Sequence, residues 1–228
     1  MKKLTSLFAL CALLLCSCSA EGSYTLTSPN GKITTTVAVG GSTTFSVALD
    51  GKTLIQPSTV ALRLDDGTLI GSGKARKVTQ YSHNGTIATP LYFRSSIEDN
   101  YNAIEVVFAD HSAVEFRAYD SGVVYRFTTS RKESFKVQSE VAAFDFGKPY
   151  NCWIAYNNLT GTKKDKYFTS FEQRYNYLPI NQIDPERLAF NPVVVDVEDV
   201  NNLSLGDKIL YENCNLQLKY DKYSLDGY

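Results

Sequence analysis

Few residues in this 228-residue chain are equipped for acid–base or nucleophilic chemistry. Its two imidazoles, His83 and His111, stand beside turn-forming residues (Asn84-Gly85 and Asp110), which predicts solvent-facing loop positions for both. No Gly-x-Ser-x-Gly run presents a serine on a strained elbow. Gly71-Ser72-Gly73-Lys74 imitates a phosphate loop, but Thr68 stands where the leading glycine belongs and Ala75 where a Ser or Thr should follow the lysine. No Cys/His pair beyond the first residues has the spacing of a zinc site. Carboxylates are what is left. Glu172 is a lone acid among aromatics in Tyr167-Phe168-Thr169-Ser170-Phe171-Glu172-Gln173-Arg174-Tyr175-Asn176-Tyr177. On residue types alone it reads as a surface glutamate paired with Arg174 or a lysine. Trp153, Tyr156, Tyr167, Phe171 and Tyr175 could display rings on which a sugar stacks, although core or interface packing is the simpler use of such a set. No residue is assigned a catalytic role.

The elements that would position these side chains are strands. Ser112 to Phe127 reads as a hairpin: Val114, Phe116 and Ala118 face one way, and Glu115, Arg117 and Tyr119 the other. Asp120-Ser121-Gly122 turns the chain, and Val123, Tyr125 and Phe127 return on one face. Upstream, Pro29-Asn30-Gly31 forms a turn, followed by alternation through Ile33, Thr35, Val37 and Val39, then Phe45, Val47 and Leu49 beyond Gly40-Gly41. Val60, Leu62 and Leu64 alternate against Arg63 and Asp65, and Ile104, Val106 and Phe108 alternate around Glu105. Even spacing of short strands and turns, with no helical period, predicts an all-β antiparallel β-sandwich with less than about a tenth of its residues in helix. Residues 148–192 read as long ordered loops around short strands, and Val193-Val194-Val195-Asp196-Val197 as a buried strand.

Composition narrows the function classes. Hydrophobic residues are 43% and charged residues 21%, so the chain is globular, and a net charge of −1 supplies no basic stripe for nucleic acid. Lys2 and Lys3 precede an apolar run, Leu7 to Leu15, too short to span a bilayer. Leu15-Cys16-Ser17-Cys18 then resembles a bacterial lipobox. Residues 1–17 are accordingly read as a lipoprotein signal peptide, Cys18 as the lipidated first residue, 18–23 as a tether and 24–228 as the domain. Cleavage of an ordinary signal peptide near Ala20-Glu21 is the alternative. Either way the chain is expected to be exported; under the lipoprotein reading it lies in the periplasm or at the outer membrane and meets a membrane only through its anchor. In an oxidising compartment Cys152 and Cys214 could form a disulfide or stay two separate thiols; both readings stand.

Four runs in this order, "SPNGK" (28–32), "AYDSGVVYRF" (118–127), "SFEQRY" (170–175) and "NPVVVDVED" (191–199), resemble the amino-terminal β-sandwich of glycoside hydrolase family 97. Its bacterial enzymes cleave α-glucosides or α-galactosides. The resemblance implies a galactose-mutarotase-like super-sandwich that walls the sugar site and packs on a (β/α)₈ catalytic barrel. It implies that Glu172, following a "Trp-Ile" strand like Cys152-Trp153-Ile154, helps bind calcium, with the remaining ligands from the barrel. It covers about 200 residues, from Ser28 to around Asn215. In the family, the stretch resembling Leu210 to Asn215 is followed by further sandwich strands and then the barrel, so the sandwich is expected to be incomplete at its C-terminal end with the barrel missing from this chain; residues near Glu212 also depart from the family's run. The expected role is a non-catalytic sugar-site domain of an exported, calcium-dependent α-glycosidase acting on an oligosaccharide. The alternative is a stand-alone lipid-anchored carbohydrate-binding module.

Overall fold

The structure, a computed structural model, describes residues 22–91, 93–157, 172–197 and 218–219. They form three antiparallel sheets. The first contains β1 (Gly22–Thr27), β2 (Ile33–Val39), β3 (Thr43–Leu49) and β4 (Lys52–Leu64), with the short β5 (Leu69–Ile70) paired to β4. The second is β6 (Ala75–Ala88), β7 (Ser96–Phe108), β8 (Ser112–Tyr119) and β9 (Gly122–Thr129), paired in chain order. The strand β10 (Val137–Ala142) returns to the first sheet beside β4. The third sheet places β11 (Asn151–Tyr156) between β12 (Asn176–Pro179) and β13 (Ala189–Asp196), and β14 (Leu218–Lys219) pairs with β10. The helix among the described residues is a single 3₁₀ turn, Ile180–Gln182. The expected antiparallel, all-β architecture is what the chain forms.

Alternation in the sequence maps onto burial. Ile33, Thr35, Val37 and Val39 of β2 all point inward, as do Phe45 and Val47 of β3. Val114, Phe116 and Ala118 of β8 meet them from the second sheet, with the Phe45 and Phe116 ring centroids 5.7 Å apart. Cys152, Ile154, Val193 and Val195 of the third sheet join the same continuous core. Polar ties hold the layers in register: the Asn102 Nδ2 donates to the Thr27 carbonyl (2.8 Å). Across a separation of ninety residues, the Asn30 backbone N–H donates to the Asp120 carboxylate (2.8 Å). The turn that presents Asn30 closes on itself. Ser28 Oγ accepts from the Ile33 N–H at 3.1 Å, and Gly31 adopts φ +76°, a conformation that disfavours any side chain.

Several local expectations change. Tyr119 pairs with Gly122, so the hairpin loop is Asp120-Ser121 alone. In β4 the alternation is interrupted twice: Leu54 and Ile55 are both buried where a bulge breaks the register with β3, and further along Ala61 is buried beside Val60 while Leu62 is half-buried. His83 is not in a turn. Ser82 to Thr86 stay extended because each residue pairs across to β7, Asn84 with Asn100 and Gly85 with Asp99, and that ladder overrides local turn propensity. Gly85 has a packing role: a Cβ there would lie 2.7 Å from His83 Nε2. The run from 148 to 192 holds two strands, β11 and β12, and the start of β13; residues 158–171 lie outside the described set.

Glu115 faces outward as its alternation requires, yet it is 3% exposed. Tyr81 O–H donates to Oε1 and Arg126 Nε to Oε2, while Arg117 Nη2 lies 3.1 Å from Oε2 and its guanidinium covers the Tyr101 ring at 4.3 Å. Burial alone would raise the carboxyl's pKa, but these three donors prevail and hold it below its ordinary value of 4.5. Burial and the bond to Glu115 push the Tyr81 phenol well above its own.

Two outcomes follow. Phe116→Ala should cost about 3–5 kcal/mol in urea unfolding, whereas Val124→Ala on the exposed face should stay within about 0.5 kcal/mol. Because the folded pKa of Glu115 is depressed, its contribution is complete above the unfolded value and is lost as pH falls through the folded one. Stability should therefore decline on acidification below about pH 4.5. Glu115→Gln should cost about 1–3 kcal/mol at pH 7, with solvent screening at half-exposed Arg126 reducing the figure. The variant should also show a shallower acid decline; equal slopes in the two proteins would refute the assignment.

Candidate functional site

β11 divides its side chains between two surfaces. Cys152 and Ile154 enter the core, and Trp153 between them is 44% exposed. Tyr177 of β12 pairs directly across from Trp153, and the two rings stack with centroids 4.7 Å apart at 36°. The Tyr177 hydroxyl donates to Asp196 Oδ2 of β13 (3.0 Å). Beyond them Tyr175 meets the Phe190 ring edge-on at 6.1 Å. The result is a partly exposed aromatic surface, its rings tilted against one another, with a carboxylate beside it. Rings of this kind can cover the apolar face of a sugar or the side chains of another polypeptide.

Of the five aromatic residues considered from sequence, Trp153 and Tyr175 are on this surface. Tyr156 is not: it is buried, its hydroxyl accepts from the Asp184 N–H (3.0 Å), and the Arg187 guanidinium lies 4.3 Å from its ring centroid. Tyr167 and Phe171 lie outside the described residues. Tyr177 and Phe190 were missed. Tyr177 carried a readable signal, since it stands two positions after Tyr175 and extended chain returns i and i+2 to one face. Phe190 carried none, because its position depends on the β11–β13 register.

Glu172 stands four residues before β12, exposed, and among the described residues it makes no ion pair, so the expected pairing with Arg174 is not formed there. A carboxylate in this setting can give one oxygen to a cation or accept a hydrogen bond. Calcium takes about six to eight oxygens, and no group of three or more His, Cys, Asp or Glu converges among the described residues. The donor chemistry fits a calcium ion at one corner only.

The remaining candidates separate. His83 Nε2 lies 3.2 Å from Asp99 Oδ2, and the Tyr119 hydroxyl donates to Asp99 Oδ1 (3.0 Å), on the outer face of the second sheet. His111 turns the chain between β7 and β8 at φ +66° and borders an open depression of about 500 Å³ shared with Arg76, Lys77 and Glu105. Neither imidazole is hydrogen-bonded to a serine, threonine or cysteine among the described residues. Cys152 is fully buried, and burial raises its thiol pKa, the opposite of nucleophile activation. Cys214 and Cys18 lie outside the described residues.

Comparison with known proteins agrees with this arrangement. The family model described as glycosyl-hydrolase 97 N-terminal matches residues 26–228. A retaining alpha-galactosidase of Bacteroides thetaiotaomicron is 34% identical over 202 residues, which is 87% of this chain and 30% of that enzyme. Among solved structures, a family 97 enzyme from Pseudoalteromonas sp. strain K8 in complex with panose superposes with a TM-score of 0.62 at 22% identity. The match covers 77% of this chain and 27% of the enzyme. The same enzyme in complex with acarbose gives the same values. A beta-arabinopyranosidase matches with a TM-score of 0.61 at 17% identity, over 75% of this chain and 29% of its own. The chain thus spans less than a third of the length of these relatives. It belongs to glycoside hydrolase family 97, as the N-terminal domain of that family.

Proposed function

We propose that this chain is the non-catalytic sugar-site domain of an exported, calcium-dependent α-glycosidase acting on α-glucosides or α-galactosides, anchored by lipid at Cys18. The observation that carries the reading is the match itself: it spans nearly the whole chain yet less than a third of each relative. Within the domain, pairing of Trp153 with Tyr177 fixes where β12 begins, and this sets the approach of the segment carrying Glu172. Glu172 would give one carboxylate oxygen to a calcium ion whose other ligands come from the catalytic part of the enzyme. Such an ion supplies positive charge to substrate oxygens. The second reading, a lipid-anchored carbohydrate-binding module, is favoured by the exposed Trp153–Tyr177 stack.

The two readings part experimentally. The purified chain should turn over neither nitrophenyl α-galactoside nor nitrophenyl α-glucoside, and it should bind calcium negligibly by calorimetry. Glu172→Gln should leave its stability within about 0.5 kcal/mol. Joined to the Bacteroides thetaiotaomicron α-galactosidase in place of that enzyme's own matching segment, the chain should support activity. There Glu172→Gln should raise the calcium needed for half-maximal rate at least tenfold. An unchanged calcium requirement would remove Glu172 from the site. Retention of the isolated chain on an immobilised α-glucan, abolished by Trp153→Ala, would favour the binding module instead.

A further inference from the structure

The hairpin of β6 and β7 is longer than the sheet it belongs to. β8 pairs with β7 only between Asn102 and Val107, whereas β6 continues alongside β7 as far as Ala88 opposite Ser96. Six residues of β7, Ser96 to Tyr101, therefore extend past the last β8 pair, a reach of roughly 20 Å at about 3.3 Å per residue. Two-stranded ribbons of this kind are marginal in water.

The arm is amphipathic in the wrong sense for an element facing solvent. Ser82, Asn84 and Thr86 of β6 with Glu98, Asn100 and Asn102 of β7 make one face wholly polar. The other face begins at the base with Tyr81, His83 and Tyr101, passes Asp99 opposite Gly85, where the carboxylate is paired to His83, and ends outward at Ile87 directly opposite Ile97. Ile87 is 52% and Ile97 40% exposed, and Leu91 at the tip is fully exposed. Nothing among the described residues covers these three. Exposed aliphatic side chains gathered at one end of a projecting element mark a contact surface. Phe93, 79% exposed, stands at the same tip, and the aliphatic side chains around its ring suit other apolar side chains.

We infer that the apolar face of this arm, Ile87, Leu91 and Ile97, docks on the part of a family 97 enzyme that follows this domain. The inference rests on the function proposed above. The occupant is chosen by length: this chain matches only 30% of the curated relative and 27% of the solved enzyme, so most of each relative's length is polypeptide outside the match. The third sheet carries a separate exposed surface, so the arm would act as a second, aliphatic hold on the same partner, beyond the aromatic one.

The test uses the fusion to the Bacteroides thetaiotaomicron α-galactosidase and the chain by itself, read by hydrogen–deuterium exchange. Amides in residues 85–98 should exchange at least tenfold more slowly in the fusion than in the isolated chain. Ile87→Asp with Ile97→Asp should abolish that protection while the variant chain alone unfolds at the parent's urea midpoint. An inactive fusion would overturn the reading of this chain as such an enzyme's domain. An active fusion whose arm exchanges as fast as in the isolated chain would overturn the docking inference alone. Protection that grows with the concentration of the isolated chain would assign the arm to a second copy and overturn it as well.

Discussion

Strand β8 is confined on both faces, and the rest of the domain is arranged around that confinement. From Ser112 to Phe116 every side chain is buried. The inward face packs Phe116 between Phe45 and Tyr125, which locks the second sheet onto the first. The outward face holds the Glu115 carboxylate under Tyr81, Arg117 and Arg126. A one-residue slip of this strand would exchange Phe116 with Glu115 or Arg117, placing a charge in the core and a ring in the ion cluster. Neither error can be relaxed locally, so β8 specifies the register of its neighbours as well as its own. The Asp120 carboxylate at its end carries the constraint across to the Asn30 turn of the first sheet.

That arrangement explains which parts of the molecule were legible in the sequence. The β8–β9 hairpin and β2 could be read because a strict period of two survives wherever one face is core. The Asn30 and Asp120 runs were recognised separately, and the structure joins them by a hydrogen bond. What could not be read depends on partners distant in sequence. The burial of Glu115 requires Tyr81, thirty-four residues away. The bulge beside which both Leu54 and Ile55 are buried arises from the match between β3 and β4 and has no local signature. His83 was assigned to a turn because Asn84-Gly85 is a strong turn signal, and only pairing with Asn100 and Asp99 keeps it extended.

The candidate site divides in the same way. Trp153 was identifiable as the odd residue between Cys152 and Ile154 in an otherwise inward-facing strand. Its stacking partner Tyr177 is fixed by the register of β12, which the intervening stretch of polar and aromatic residues did not disclose. Tyr156 illustrates the opposite case: the ring looked available for display, but Arg187 and the Asp184 N–H take both its face and its hydroxyl. Aromatic content indicates capacity for contact; the sheet register decides which rings deliver it.

The domain uses two kinds of surface, and their chemistry differs for a physical reason. Where side chains carry charge on the outer face of the second sheet, as at Glu115 and at Asp99 with His83 and Tyr119, the carboxylates are met by donors from their own sheet, with Arg117 Nε left unpartnered among the described residues. Where the chain leaves apolar area uncovered, as at Trp153 with Tyr177 and at Ile87 with Ile97, no internal element meets it among the described residues. Exposed apolar area of this kind contributes nothing to the stability of the domain itself, so its own packing does not account for these two patches. Their persistence at separate places on one well-packed sandwich is what a domain shaped for a larger partner would carry.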